Sequence, residues 1–301
     1  MTSMWGSGCI LIPEIKGRFL RWLLPALSVI VLFPRGAKSQ EDHLLFLPSD
    51  AVFDHLIGDP REPQNYLSAE LDHDRFDGSI AATLEFLQWV QKNQTRWGWG
   101  VEGDTFIQVE APGYGHYSLT NSDYYLVLPE RVSDWHLGTY LSESSGDFSN
   151  RLEYLHTSSQ LGDGFFTTIQ GFPSTQESFR YTASYQPEER VRFYAGGGFY
   201  TKTLPEEAPF FLHAGTELYS PYSDLFLATT WRGYFTYDIQ ASQDLGGVFN
   251  QNFSVGLQWR WKKETHQAVR LALLYYNGNS NYGQFYREND DHWTLGLFFD
   301  P

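Results

Sequence analysis

Asn250-Gln251-Asn252-Phe253-Ser254-Val255-Gly256-Leu257-Gln258-Trp259-Arg260-Trp261-Lys262 decides the fold. Its odd positions are Gln251, Phe253, Val255, Leu257, Trp259 and Trp261, and its even positions are Asn250, Asn252, Ser254, Gly256, Gln258, Arg260 and Lys262. Successive side chains of a strand point to opposite faces, so this stretch builds one apolar face that ends in aromatics and one wholly polar face. A soluble sandwich also alternates, but with shorter strands. Ten or more alternating residues with aromatic ends favour a transmembrane β-barrel, whose strands meet lipid outside and water inside.

The same period returns along the chain. Val269, Leu271, Leu273 and Tyr275 oppose Ala268, Arg270 and Ala272; Val191, Phe193 and Phe199 oppose Arg190, Arg192 and Tyr194. Leu225, Leu227, Trp231, Phe235 and Ile239 oppose Asp224, Thr230, Arg232, Thr236 and Asp238. At the end, Trp293, Leu295, Leu297 and Phe299 share a face with Thr294 and Gly296 opposite, which resembles the carboxy-terminal signal read by the outer-membrane barrel insertion machinery; Asp300-Pro301 after it departs from the strict form. About twelve such segments, near 79–90, 96–109, 120–129, 134–143, 150–158, 177–186, 190–200, 211–218, 224–241, 250–261, 267–277 and 291–299, predict an all-β, antiparallel up-and-down barrel over 79–301. An even count puts both chain ends in the periplasm.

Lys16 and Arg18 precede the apolar run Phe19–Phe33, and Ala37-Lys38-Ser39 supplies small residues before Gln40. This predicts a cleavable signal peptide over 1–39, with an uncleaved anchor as the alternative. Residues 40–78 read as a periplasmic lead-in that plugs or caps the barrel: Leu44–Pro48 and Val52-Phe53 give apolar grip, and Gly58-Asp59-Pro60-Arg61-Glu62-Pro63 is a turn-rich charged link. No later segment is long and apolar, so spanning a membrane requires a closed barrel, in which every backbone group is paired.

Composition narrows the function classes. Aromatics make up 17% of the chain and suit interfacial girdles. Cys9 is the only cysteine, and it precedes the leader's apolar run, so the mature chain has no thiol chemistry, disulfide or lipid anchor. The formal charge is −15, and the leader holds five of the 21 basic residues but only one of the 36 acidic ones. So acidic a mature chain repels nucleic acid. The nine histidines show no paired spacing for zinc, and no cofactor is expected. Gly196-Gly197-Gly198 lacks the strand-to-helix setting of a phosphate loop and reads as close packing on a curved strand.

Three stretches carry a family resemblance. His156-Thr157-Ser158-Ser159-Gln160-Leu161-Gly162-Asp163, Tyr282-Gly283-Gln284-Phe285-Tyr286, and Phe46-Leu47-Pro48 with Asp59-Pro60-Arg61-Glu62-Pro63 together resemble the domain-of-unknown-function 1207 family of bacterial outer-membrane proteins, across nearly all of the mature chain. The resemblance implies an outer-membrane barrel and no established activity. Gln160 stands where a second His is expected and Gly164 where an acid is expected.

One constellation invites chemistry. His156 and Ser158 share a strand face with Leu152 and Tyr154, the face turned to lipid, while Arg151 and Glu153 face the lumen. A His beside a Ser can act as general base toward a nucleophile. The pair is similar to the His-x-Ser of outer-membrane phospholipase A and lipid A deacylase. Glu177 on the next strand has the parity of Phe179, Tyr181 and Tyr185 and could orient the His; Asp163 could assist calcium. The competing reading makes these rim residues and Tyr282–Glu288 a girdle loop at the barrel seam. Two functions result: a structural or narrow-pore barrel of the Gram-negative outer membrane with lipid as its partner, or a lipid-acyl hydrolase using His156, Ser158 and Glu177. About twelve strands leave a narrow lumen filled by many side chains, so free conduction is not assured.

Overall fold

The computed structural model describes residues 42–72, 75–110, 131–161, 174–206, 208–225, 229–243, 248–261, 267–281 and 287–300. They form an antiparallel sheet of β1 (His43–Phe46), β2 (Asn65–Glu70), β3 (Arg75–Val90), β4 (Arg96–Glu110), β5 (Arg131–Ser145), β6 (Phe148–Leu161), β7 (Ser174–Glu188), β8 (Val191–Leu204), β9 (Phe210–Tyr219), β10 (Ser223–Leu225), β11 (Thr229–Ser242), β12 (Phe249–Arg260), β13 (Ala268–Asn279) and β14 (Asn289–Asp300). Each wall strand pairs with its neighbour, and the seam closes where β2 lies between β14 and β3. The result is a closed twelve-strand barrel. The ten- to sixteen-residue lengths of β3–β9 and β11–β14, β10 apart, match or exceed the about 9–11 residues a tilted strand needs to cross a bilayer.

The expected strand pattern holds with three differences. The segment 120–129 lies outside the described residues; β4 pairs directly with β5, and the twelfth wall strand is β2. β2 was hidden because it places only Leu67 and Ala69 on the outer face, too few for alternation to show, so the wall begins at Asn65 rather than near 79. The run expected over 224–241 is divided, with β10 folding back on β11 through Ser223 and Trp231.

Faces are inverted relative to a soluble protein. Large apolar side chains such as Leu84, Leu137, Leu212, Val255 and Leu295 are exposed around the outside. Arg151, Glu153, Arg180, Thr236, Asp238 and Arg270 are buried inside. In water, so continuous an apolar surface would drive association; it matches a wall that meets lipid. Tyr237, Phe253, Tyr275 and Trp293 are successive cross-strand partners on β11–β14, with ring centroids 4.5, 6.3 and 4.8 Å apart. They make a girdle row at the end of the barrel where the longer connections lie. The opposite end has the two-residue turns 146–147 and 189–190. Gly146 takes a φ of 60° in the first of these, where a β-carbon would be strained. The triple glycine packs as its reading predicted: a β-carbon on Gly196 would collide with the Tyr181 carbonyl and the His213 ring.

The first wall strand is interrupted. β1 pairs with β3 from Val90 to Leu87 and β2 pairs with the same edge of β3 from Ser79 to Phe76, both antiparallel. They are two halves of one strand. Between them, residues 47–64 leave the wall and fold into the lumen. The Leu47 amide on the Phe86 carbonyl (3.1 Å) and the Asn65 side chain on the Ala81 amide (3.0 Å) mark exit and return. The lead-in expected before the barrel therefore supplies both wall and filling.

Val255 tests the outer face. Val255→Arg should lower unfolding stability in lipid vesicles by about 2–4 kcal/mol, the cost of a cation near the bilayer midplane. A change within experimental error in a urea titration would mean that this face does not meet lipid.

Candidate functional site

The lumenal loop is held at three levels. At its foot, Phe53 and Leu56 pack with Tyr194 of β8, with the Arg151 and Arg192 guanidiniums 4.6 and 5.0 Å from the Phe53 ring centre. The Val52 amide donates to Glu85 (3.2 Å), and Gln88 donates to the Asp50 carbonyl. In its middle, the Ile57 amide donates to Glu217 (2.6 Å), and Asn252 of β12 donates to the Gly58 carbonyl (2.9 Å). A β-carbon on Gly58 would stand 2.9 Å from the Tyr194 hydroxyl and 3.2 Å from Thr236 Cβ, so the loop lies too close to the wall there for a side chain.

The apex is Asp59-Pro60-Arg61-Glu62. Asp59 Oδ1 accepts from the Arg61 amide (2.9 Å) and the Asp59 carbonyl from the Glu62 amide (3.2 Å), a side-chain-capped turn. That turn aims two carboxylates at the wall. Glu62 takes a two-pronged pair from Arg151 of β6 (2.7 and 2.7 Å) and a contact from His55 Nδ1 (3.2 Å). Asp59 accepts from Arg180 of β7 (3.1 Å) and Gln240 of β11 (3.0 Å). Glu153 of β6 bridges the two arginines, accepting from Arg180 (2.7 and 2.8 Å) and lying 3.2 Å from Arg151 Nε. On the far side, Arg270 of β13 donates to Gln64 (2.6 Å) and pairs with Asp300 (2.8 Å). Arg61 lies 4.1 Å over the Phe106 ring of β4.

Both Glu62 and Asp59 are fully buried. Burial alone would push the Glu62 carboxyl up; the Arg151 guanidinium and the His55 hydrogen bond more than offset it and hold Glu62 well below the usual carboxylate range. Its stabilising contribution is therefore complete above the ordinary carboxylate pKa and disappears only as pH falls through the depressed value.

The outer-wall constellation lies where its parity put it. Leu155 and Thr157 line the lumen, so His156 and Ser158 face outward. His156 and Glu177 are direct cross-strand partners, and Ser158 pairs in register with Thr175. Glu177 also has Lys202 opposite it on β8, at a register shift between Glu177 and Ser178. Ser158 is buried, 9% exposed, and alternate residues on a strand are about 6.8 Å apart. The three residues thus share one face, with the histidine beside the carboxylate and the serine one step further along. Asp163, Gly164 and the 282–286 motif lie outside the described residues, which contain no group of three or more His, Cys, Asp or Glu that could hold a metal ion.

Sequence reasoning named Asp59 and Glu62 as a charged turn and Arg151 and Glu153 as lumenal, but did not join them. The usable signal was the set of arginines at inward parity, Arg151, Arg192 and Arg270 among them, in a chain rich in acid. Buried cations of that kind require carboxylates.

Glu62→Gln removes half of a buried ion pair and should cost about 3–5 kcal/mol of loop seating. A spin label at position 54 should become mobile in this variant at neutral pH. In the unsubstituted loop the label should stay immobile down to the ordinary carboxylate range and loosen only below it. Equal immobility of the variant at all pH values would show that Glu62 does not hold the loop.

No curated protein matches the chain. Among solved structures it is similar to the β domain of the Bordetella autotransporter BrkA, at 11% identity and a TM-score of 0.45, over 79% of this chain and 98% of that one. It is also similar to OmpT of Vibrio cholerae, at 10% identity and a TM-score of 0.33, over 87% and 98%. The family model "Protein of unknown function (DUF1207)" matches residues 39–300, which include the Asp59–Pro63 apex, the His156 stretch and every wall strand; the chain belongs to that family.

Proposed function

We propose that this protein is an integral barrel of the bacterial outer membrane, exported by the leader over 1–39, whose role is that of a stoppered wall protein and not of an open pore. One observation carries the reading: residues 47–64 lie across the lumen, bonded to β6, β7, β11 and β12, while both ends of the segment are built into the wall through β1 and β2. A plug on a free tether can swing out. This loop is held at both ends, so leaving the lumen means breaking the Glu62–Arg151 and Asp59–Arg180 pairs together with the Asn252 bond to Gly58 and the packing of Phe53 and Leu56 on Tyr194. The narrow-pore alternative therefore requires a large local unfolding step before solute can pass.

Orientation follows from connection length. Short turns lie in the periplasm and long loops outside in barrels of this class. Here both termini of the wall lie with the short turns. The apolar outer face makes lipid the partner of the wall, and the final aromatic-ended strand suits recognition by the insertion machinery.

Planar-bilayer recording tests the reading. The unmodified protein should hold current at the lipid background, while Asp59→Asn combined with Glu62→Gln should give intermittent openings. Steady conductance through the unmodified protein would sink the stoppered reading.

The in-register His156–Glu177 pair beside Ser158 supports a second reading, a lipid-acyl hydrolase acting on its own membrane. In it Ser158 attacks the ester carbonyl, His156 takes the serine proton and gives it to the departing alcohol as the ester C–O bond breaks, Glu177 orients the imidazole, and water then hydrolyses the acyl-serine to release the fatty acid. Release of fatty acid from phospholipid or lipid A, with and without calcium, should then fall by at least 100-fold in Ser158→Ala. No release from the unmodified protein, or release unchanged in the variant, would remove it.

A further inference from the structure

Above the apex, on the long-loop side, the lumen keeps a chamber of about 210 Å³. Asp59, Arg61 and Pro63 of the loop form one side; Glu102 and Asp104 of β4, Ser178 and Arg180 of β7, and Tyr200 and Phe211 of β8 and β9 also line it. The loop gives the chamber its bottom and makes it a cup, and a second cavity of about 90 Å³ lies on the other side of the loop, between Gln64 and the wall at Arg270 and Phe298.

Acidic groups outnumber guanidiniums around the cup. Asp59, Glu102 and Asp104 line it beside Arg61 and Arg180, and Glu62 and Glu153 stand behind them with Arg151. The terminal nitrogens of Arg151 go to Glu62 and the donors of Arg180 to Glu153 and Asp59, while Arg151 Nε lies 3.2 Å from Glu153. Glu102 is 3% exposed, and no donor lies within hydrogen-bond distance of either of its carboxylate oxygens. Room has been made for it, because its cross-strand neighbour is Gly138, where a β-carbon would come within 3.3 Å of Glu102 Oε1. A buried carboxyl group that no donor reaches is an acceptor with room for a ligand's donor. The Tyr200 and Phe211 rings, centroids 5.0 Å apart, give the cup an aromatic wall suited to the carbon skeleton and positive end of a small molecule.

We infer that this cup binds a small organic cation, an amine or guanidine, with its charged group on Glu102. The inference rests on the stoppered reading, since the loop forms the bottom of the cup. Inorganic cations fit less well, because among the described residues no three acidic or histidine side chains converge to coordinate one.

The test is calorimetric titration of the full-length protein in lipid nanodiscs with agmatine and putrescine, using glutarate as an anionic control of similar size. Saturable one-to-one binding of at least one cation is expected, with none for glutarate. Glu102→Gln, folded as judged by heat-modifiable gel mobility, should weaken binding at least 10-fold. Ser178→Phe, which narrows the cup from β7 and leaves Glu102 in the sequence, should weaken it as well and serves if Glu102→Gln does not fold. Absence of saturable binding to the unmodified protein, binding unchanged in the variant that folds, or equal displacement by potassium or calcium would each overturn the inference. Conductance keeps the two readings apart. A silent protein that binds neither cation refutes the cup alone, whereas a freely conducting protein that binds through Glu102 refutes the stopper alone.

Discussion

Two guanidiniums inside a barrel need carboxylates, and much of the lumen follows from that need. Arg151 and Arg180 lie on adjacent strands with inward parity, and Glu153 between them can neutralise only one charge. Removing one partner from such a buried group costs about 3–5 kcal/mol, because the remaining charge is left without water or a counter-charge. Asp59 and Glu62 complete the set. The loop that carries them is thereby fixed in depth and in rotation about the barrel axis.

The interrupted first strand turns this electrostatic fit into a mechanical one. β1 and β2 hold the same edge of β3, so the loop between them is tied to the wall on both sides. Apolar packing of Phe53 and Leu56 on Tyr194 fills the space near the exit, and Gly58 lets the backbone pass close to Thr236. Proline at positions 60 and 63 restricts the apex, so little conformational entropy is lost when its carboxylates are aimed. Wall and filling are thereby joined through one sheet edge and one set of ion pairs.

The outer wall and the lumen answer to different solvents. Outside, His156, Ser158 and Glu177 share a face with the apolar girdle residues, a setting in which only a lipid-borne substrate reaches them. Inside, Glu102 lines a lumenal cup that the wall separates from that face. Any activity at the first and any binding at the second are therefore separable by variants that do not touch each other.

Period-two alternation is a local property, and for that reason the sequence by itself determined most of the barrel: the faces of β12 and β14, the lumenal parity of Arg151 and Glu153, the outward parity of His156 and Glu177, and the polar inside. It did not determine β2, whose six residues are too few to show a period. Nor did it determine what the charged turn at Asp59–Glu62 touches. Glu62 meets Arg151 across 89 residues of chain, Asp59 meets Arg180 across 121, and Gln64 meets Arg270 across 206. Those partners depend on strand stagger and on which strands stand opposite each other once the seam has closed, and neither is written in the spacing of any one segment. The lead-in reads as a plug or cap from its sequence, but closure decided which wall arginines its carboxylates meet, because only a closed wall creates the interior where they stand opposite each other.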